Sequence, residues 1–171
     1  MFSKFKIKGA ALVIIGLSSV LAVAGCGAPA TSTTTSPAAG KIKATWVTAE
    51  QFATSVAVPV SAIEQKGIIH FWVEIPEGKM PFMAYNLEGK TYIRANLCVP
   101  CRSYNYSLDG GVLDCDTCGT RFSAVTGDGI SGVCKDYPKA LVPFTPQDGK
   151  LVMSVEAAKN AYFDTLEPGW P

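Results

Sequence analysis

Two pairs of cysteines constrain this chain more than any other feature. Cys98-Val99-Pro100-Cys101 and Cys115-Asp116-Thr117-Cys118 are C-x-x-C pairs with thirteen residues between them. Two residues between cysteines let both sulfurs of a pair face one ion or one iron. Two such pairs make the ligand pattern of four-cysteine zinc or iron–sulfur sites, with Cys98, Cys101, Cys115 and Cys118 as candidate ligands. Residues 104–107 and 111–114 read as a hairpin turning at Asp109-Gly110, which would bring the four thiols to one end.

The flanking residues remove some alternatives and leave others. Arg102 and Gly119, not His, follow the two pairs, so c-type haem attachment is excluded. No βαβ pattern surrounds either pair, which disfavours a thioredoxin-like dithiol. Structural disulfides stay open, although a C-x-x-C disulfide closes a very small loop and stabilises little. Cys134 has no obvious mate; it is a candidate fifth or exchangeable ligand, a group supporting the site, or a buried inert thiol. Arg102, Arg121 and Lys135 lie within three residues of a cysteine and could offset the charge of clustered thiolates.

The chain has one histidine, His70. That excludes zinc sites built on two histidines and the two-histidine ligation of an ordinary Rieske cluster. A formal charge of +1 gives no basic excess for nucleic acid. With 48% apolar and 17% charged residues, the 171-residue chain can build a core of its own.

The amino terminus reads as an address. Lys4, Lys6 and Lys8 precede a fifteen-residue apolar run over residues 10–24, short of the roughly 20 residues a membrane span needs. Residues 1–25 are therefore expected to be a signal peptide. Their ending, Leu21-Ala22-Val23-Ala24-Gly25-Cys26, resembles the bacterial lipoprotein lipobox, which implies that Cys26 is acylated. Residues 26–40, free of charge and of large apolar side chains, form a Thr/Ser/Pro/Ala tether, and residues 41–171 form the folded domain. Without residues 1–25, twelve basic side chains face fourteen acidic ones, a net charge of −2. The expected location is the extracytoplasmic face of a cell membrane.

From Val56 onward the sequence reads as short strands. In Ile68-Ile69-His70-Phe71-Trp72-Val73-Glu74-Ile75, alternation puts Ile69, Phe71, Val73 and Ile75 on one face. His70 falls on the other, expected as a partly exposed strand residue. Residues 80–85 and 91–95 flank a Gly-containing turn, residues 141–144 and 151–155 look like closing strands, and residues 48–54 and 154–163 suggest short helices. The expected class is mainly β: a small sandwich or open barrel with two C-x-x-C loops and short helices at its edges.

Two resemblances follow. The turn Gly89-Lys90-Thr91-Tyr92 before the first pair, the Gly119, Phe122 and Thr126-Gly127 elements after the second, and Asp148-Gly149-Lys150-Leu151 resemble a Rieske domain, with Cys101 and Cys118 where its histidines would stand. The closer resemblance is to the FtrD-like membrane iron–sulfur family. It rests on Cys98, Cys101, Asn105-Tyr106, Cys115, Cys118-Gly119, Phe122 and Gly132-Val133-Cys134-Lys135, over about residues 56–155. Asn105, Val133 and Lys135 depart from the commonest pattern. The resemblance implies a metal or iron–sulfur domain tied to iron or other metal handling outside the cytoplasm.

The leading reading is a lipid-anchored electron-transfer protein whose four paired cysteines hold a 2Fe–2S cluster, working with a membrane redox or metal-transport protein. The alternatives are a four-cysteine zinc, copper or iron lipoprotein that binds or delivers a single metal ion, and a dithiol–disulfide redox protein. The leader has no Arg-Arg pair, so export with a preloaded cluster is not indicated; this keeps the single-ion alternative open. No catalytic triad, phosphate loop or small-molecule substrate is evident, and an enzyme is the less favoured class.

Overall fold

The computed structural model describes residues 40–169. The expected signal peptide, Cys26 and the tether up to residue 39 lie outside the described residues.

The elements run in the order β1 (Ile42–Lys43), β2 (Thr45–Trp46), β3 (Glu50–Gln51), β4 (Ser55–Pro59), α1 (Val60–Lys66), β5 (Ile68–Ile75), β6 (Gly78–Leu87) and β7 (Lys90–Ala95). There follow β8 (Tyr106–Asp109), β9 (Val112–Cys115), β10 (Arg121–Ser123), β11 (Gly129–Ser131), β12 (Thr145–Gln147), β13 (Lys150–Ser154) and α2 (Val155–Leu166). They form three open sheets, with strand orders β1-β8-β9-β10-β11, β12-β13-β4-β3 and β2-β5-β6-β7. The architecture is mainly β, with two C-x-x-C loops and two short helices. Two-residue turns at Glu88-Gly89 and Asp148-Gly149 close β6–β7 and β12–β13, with all four φ angles positive (51°, 76°, 49° and 73°), as the twist of a tight hairpin demands.

The β2-β5-β6-β7 sheet is the layer on which the rest is built, because both of its faces are buried. Ile69, Phe71, Val73, Phe82, Ala84 and Ile93 face one core, shared with Val56 and Val58 of β4, Leu151 and Met153 of β13, Ile63 of α1, and Ala158 and Ala161 of α2. On the reverse, Ile68, Met83 and Tyr85 join a second core with Tyr106, Leu108, Leu113, Phe122, Cys98, Cys115 and Cys134. The cysteine sheet is thus mounted on the back of the central sheet.

This arrangement corrects the reading of His70. It is 2% exposed, on the same face as Ile68 and opposite Met83, so its face is covered rather than open. Three further expectations are corrected. Residues 48–54 are not helical, because Gln51 pairs its side chain with the backbone of Glu74 (Nε2 to O, 2.5 Å; Glu74 N–H to Oε1, 2.8 Å) and lies extended along β4. The closing strand begins at Thr145, not Leu141: the backbone of residues 141–144 meets the sheet through the Leu141–Arg94 bridge and the Val142 N–H, and Pro143 has no N–H to continue a ladder. The seven-residue helix α1, unforeseen in β-branched sequence, buries Ile63 and is stopped by Gly67, whose N–H returns to the Ile63 carbonyl at 2.7 Å. Helix α2 begins at the Ser154 hydroxyl, which accepts from Ala157 N–H at 3.0 Å.

Candidate metal centre

Both C-x-x-C loops have the same backbone design. In the first, Cys98 N–H donates to the Ser103 carbonyl at 2.9 Å; in the second, Cys115 N–H donates to the Thr120 carbonyl at 2.9 Å. The residue after the second cysteine is left-handed in each, Arg102 at φ 56° and Gly119 at φ 69°. This sharp return of the chain lets both sulfurs of a pair point the same way.

Hairpin β8–β9 carries the second loop back against the first, with Tyr106 opposite Cys115. The two loops are stitched by a Ser103 Oγ–Thr117 Oγ1 hydrogen bond of 2.7 Å. Asp116 is held by Ser107 Oγ (2.8 and 2.9 Å) and by Lys41 Nζ (3.1 Å), so the start of the described chain braces the second loop. Asn96 Nδ2 donates to the Tyr104 carbonyl at 2.9 Å, and the Tyr104 ring stands edge-on to Trp72, bracing the first.

As a result the four sulfurs of Cys98, Cys101, Cys115 and Cys118 all lie within 4.8 Å of one another. Cys98 and Cys118 are 3.7 Å apart, and Cys101 and Cys115 3.8 Å. Each close contact therefore crosses between loops and joins a buried cysteine to a partly exposed one. The five described cysteines are free, not paired in disulfides. Cys134 stands outside the group of four, buried with its Sγ 3.8 Å from that of Cys118. Thr120 Oγ1 ties it in place, accepting from Cys134 N–H and from Cys118 Sγ, both at 3.2 Å.

The donor set fits a thiophilic cation. Four thiolates at this spacing repel one another unless a cation lies among them, and the titration of the thiols reflects that conflict. Cys115 is held down to about 4 by the hydrogen bond from Cys98 and by the amides of Cys118 and Thr117. Cys98, the donor of that bond, is pushed up, and burial raises Cys101 to about 11. Loading a metal must therefore displace protons.

The cations the sequence singles out are not the buried ones. Arg121 pairs with Asp114 (3.2 Å), Lys135 pairs with Asp136 (2.7 Å), and both are exposed, as is Arg102. Two other cations are buried: Arg94, 2% exposed, and Lys139, 1% exposed. Arg94 stands four residues before Cys98 and Lys139 five after Cys134, so sequence distance barely sets them apart from the exposed three; what the sequence does not show is their burial.

The family model described as "Membrane iron-sulfur containing protein FtrD-like" matches residues 63–163, more than half of the chain. The chain belongs to this FtrD-like iron–sulfur family. No curated protein matches the sequence significantly. Among solved structures it is similar to a Sphingomonas yanoikuyae B1 ferredoxin, with 24% identity over 43% of this chain and 74% of that one, at a TM-score of 0.36. It is also similar to a chain in a complex of reduced oxygenase and oxidized ferredoxin in carbazole 1,9a-dioxygenase, with 20% identity over 57% of this chain and 92% of that one, at a TM-score of 0.47. Among the described residues, no helix is long and apolar enough to cross a membrane.

Proposed function

We propose that the protein is an extracytoplasmic, lipid-anchored electron carrier in which Cys98, Cys101, Cys115 and Cys118 hold a 2Fe–2S cluster. One observation carries this reading: in a member of an iron–sulfur family, two matched loops bring four sulfurs within 4.8 Å of one another. When bound, such a cluster takes up and releases single electrons. The buried Cys98 and Cys115 anchor it in the second core, while the partly exposed Cys101 and Cys118 face the surface through which electrons would pass. Val133, 82% exposed beside Cys134, adds an apolar contact to that surface for a membrane redox or metal-transport partner. Acylation of Cys26 would hold the domain at the membrane, and iron or metal uptake is the process it would serve.

A specific observation favours a second reading, a single ion. A metal–sulfur bond of about 2.3 Å gives a tetrahedron with edges of about 3.8 Å, close to the 3.7 and 3.8 Å separations here. Anaerobic purification of the full chain in detergent, followed by metal and acid-labile sulfide assays and a visible spectrum, separates the two. Brown protein with iron and sulfide in equal amounts is the expected result. Colourless protein carrying one zinc per chain would replace the cluster with the single ion. Cys26→Ser should release the chain from membranes, and its retention there would remove the lipid anchor.

A further inference from the structure

Lys139 is a buried ammonium without an anionic partner. Its Nζ donates to the Leu97 carbonyl at 2.6 Å and lies 4.5 Å from the centre of the Phe122 ring. Neither contact carries a negative charge, and among the described residues the salt bridges involve neither Lys139 nor Arg94. Such a burial is expensive unless something nearby is anionic.

The fold nevertheless goes to some length to put Lys139 there. Arg94 Nη1 donates to the Lys139 carbonyl at 2.6 Å, and the rest of that guanidinium is tied to Tyr85 Oη (3.0 Å) and the Val125 carbonyl (2.5 Å). The Lys139 N–H donates to the Gly127 carbonyl at 2.8 Å. A β-carbon at Gly127 would collide with both the Lys139 carbonyl and the Arg94 guanidinium, so glycine makes the room. Leu97 immediately precedes Cys98, and Phe122 packs in the same core as Cys98, Cys115 and Cys134. The ammonium therefore lies on the buried side of the four-sulfur site.

We propose that Lys139 is the internal counter-charge of this site, a positioning residue that touches none of the ligands and stabilises them as thiolates through its positive charge. This rests on the reading that the four cysteines bind a metal. Four thiolates around a divalent ion leave two negative charges in a protein interior, and Lys139, held in place by Arg94, supplies the opposite sign from within. Burial lowers Lys139 to about 8, and the cysteine thiolates act to raise it, the reciprocal of the same attraction. Stabilising sulfur as thiolate and stabilising lysine as ammonium are one interaction seen from two ends.

The test uses the full chain in detergent, stripped of metal and titrated anaerobically with Co2+, whose thiolate absorption bands report ligation. Lys139→Met keeps the volume and removes the charge. It is expected to raise the Co2+ dissociation constant about 10–100-fold with unchanged band shape, and to lower the thermal midpoint of the cobalt-loaded form well beyond any change in the metal-free form, where fewer of the thiols are ionised. A residue that only supports Leu97 would destabilise both forms alike, and that result would overturn the assignment. The exposed Arg121→Met and Lys135→Met should shift the constant less than about threefold, because their charges are solvated and paired; losses as large as that of Lys139→Met would overturn it as well. Failure of the unmodified chain to bind Co2+ removes the metal site itself. Normal binding with an unaffected Lys139→Met variant removes only the counter-charge.

Discussion

His70 and Lys139 show how single polar residues take their character from the layer that covers them. His70 lies between the central sheet and the cysteine sheet, edge-on to Trp46 at 5.1 Å, with Nε2 buried and unpartnered. Burial lowers it from 6.5 to about 4, against a smaller opposite pull from Asp116. The unfolded chain then takes up this proton below pH 6.5 while the folded chain waits until about pH 4. Stability owed to the neutral ring is complete above pH 6.5, declines between pH 6.5 and 4, and is flat below; the loss is about 3 kcal/mol. Urea titrations across this window should show that slope, and His70→Phe should flatten it by the same amount. Unchanged slopes would mean that the ring titrates in the fold as it does in the unfolded chain. Alternation along β5 correctly assigns Ile69, Phe71 and Val73 to a core, yet it misjudges His70, because a two-faced sheet is not visible from one strand.

At the scale of elements, the loops were the most legible part of the chain and the short connections the least. A C-x-x-C pair is a local pattern whose spacing alone brings two sulfurs to one side, and Asp109-Gly110 between hairpin strands signals their convergence. By contrast α1, the extended course of residues 48–54 and the non-strand course of residues 141–144 each depend on a distant partner: the Ile63 contact with the core, Gln51 on Glu74, and the Leu141 bridge to Arg94. Cys134 was visible as a thiol, but its position against Cys118 depends on Thr120. The matched loops also make a matched experiment. Gly119 is left-handed with open space around it, so Gly119→Ala meets only the conformational penalty, about 1–2 kcal/mol. Arg102 already accepts that penalty at φ 56°, so Arg102→Ala should change stability by less than about 0.5 kcal/mol. Denaturant midpoints of the two variants read the difference directly, and equal effects would contradict the left-handed geometry at one loop.

For the whole domain, the decisive feature is the sharing of one sheet by two cores. β5 and β6 hold Ile69, Phe71, Phe82 and Ala84 in the first core, and Ile68, Met83 and Tyr85 in the second, which also contains Cys98 and Cys115. Neither core can dissolve without uncovering a face of the other's main layer. Amide hydrogen exchange follows from this. The paired amides of β5 and β6 have no partial opening that exposes them, so they should be the last to exchange and should report the free energy of complete unfolding. Metal bound at the sulfurs stabilises the folded state as a whole, so it should slow exchange at Phe71 and Phe82, in the core that holds no cysteine. The middle sheet thus serves as a clock for the metal centre, readable from strands whose outer face never meets it.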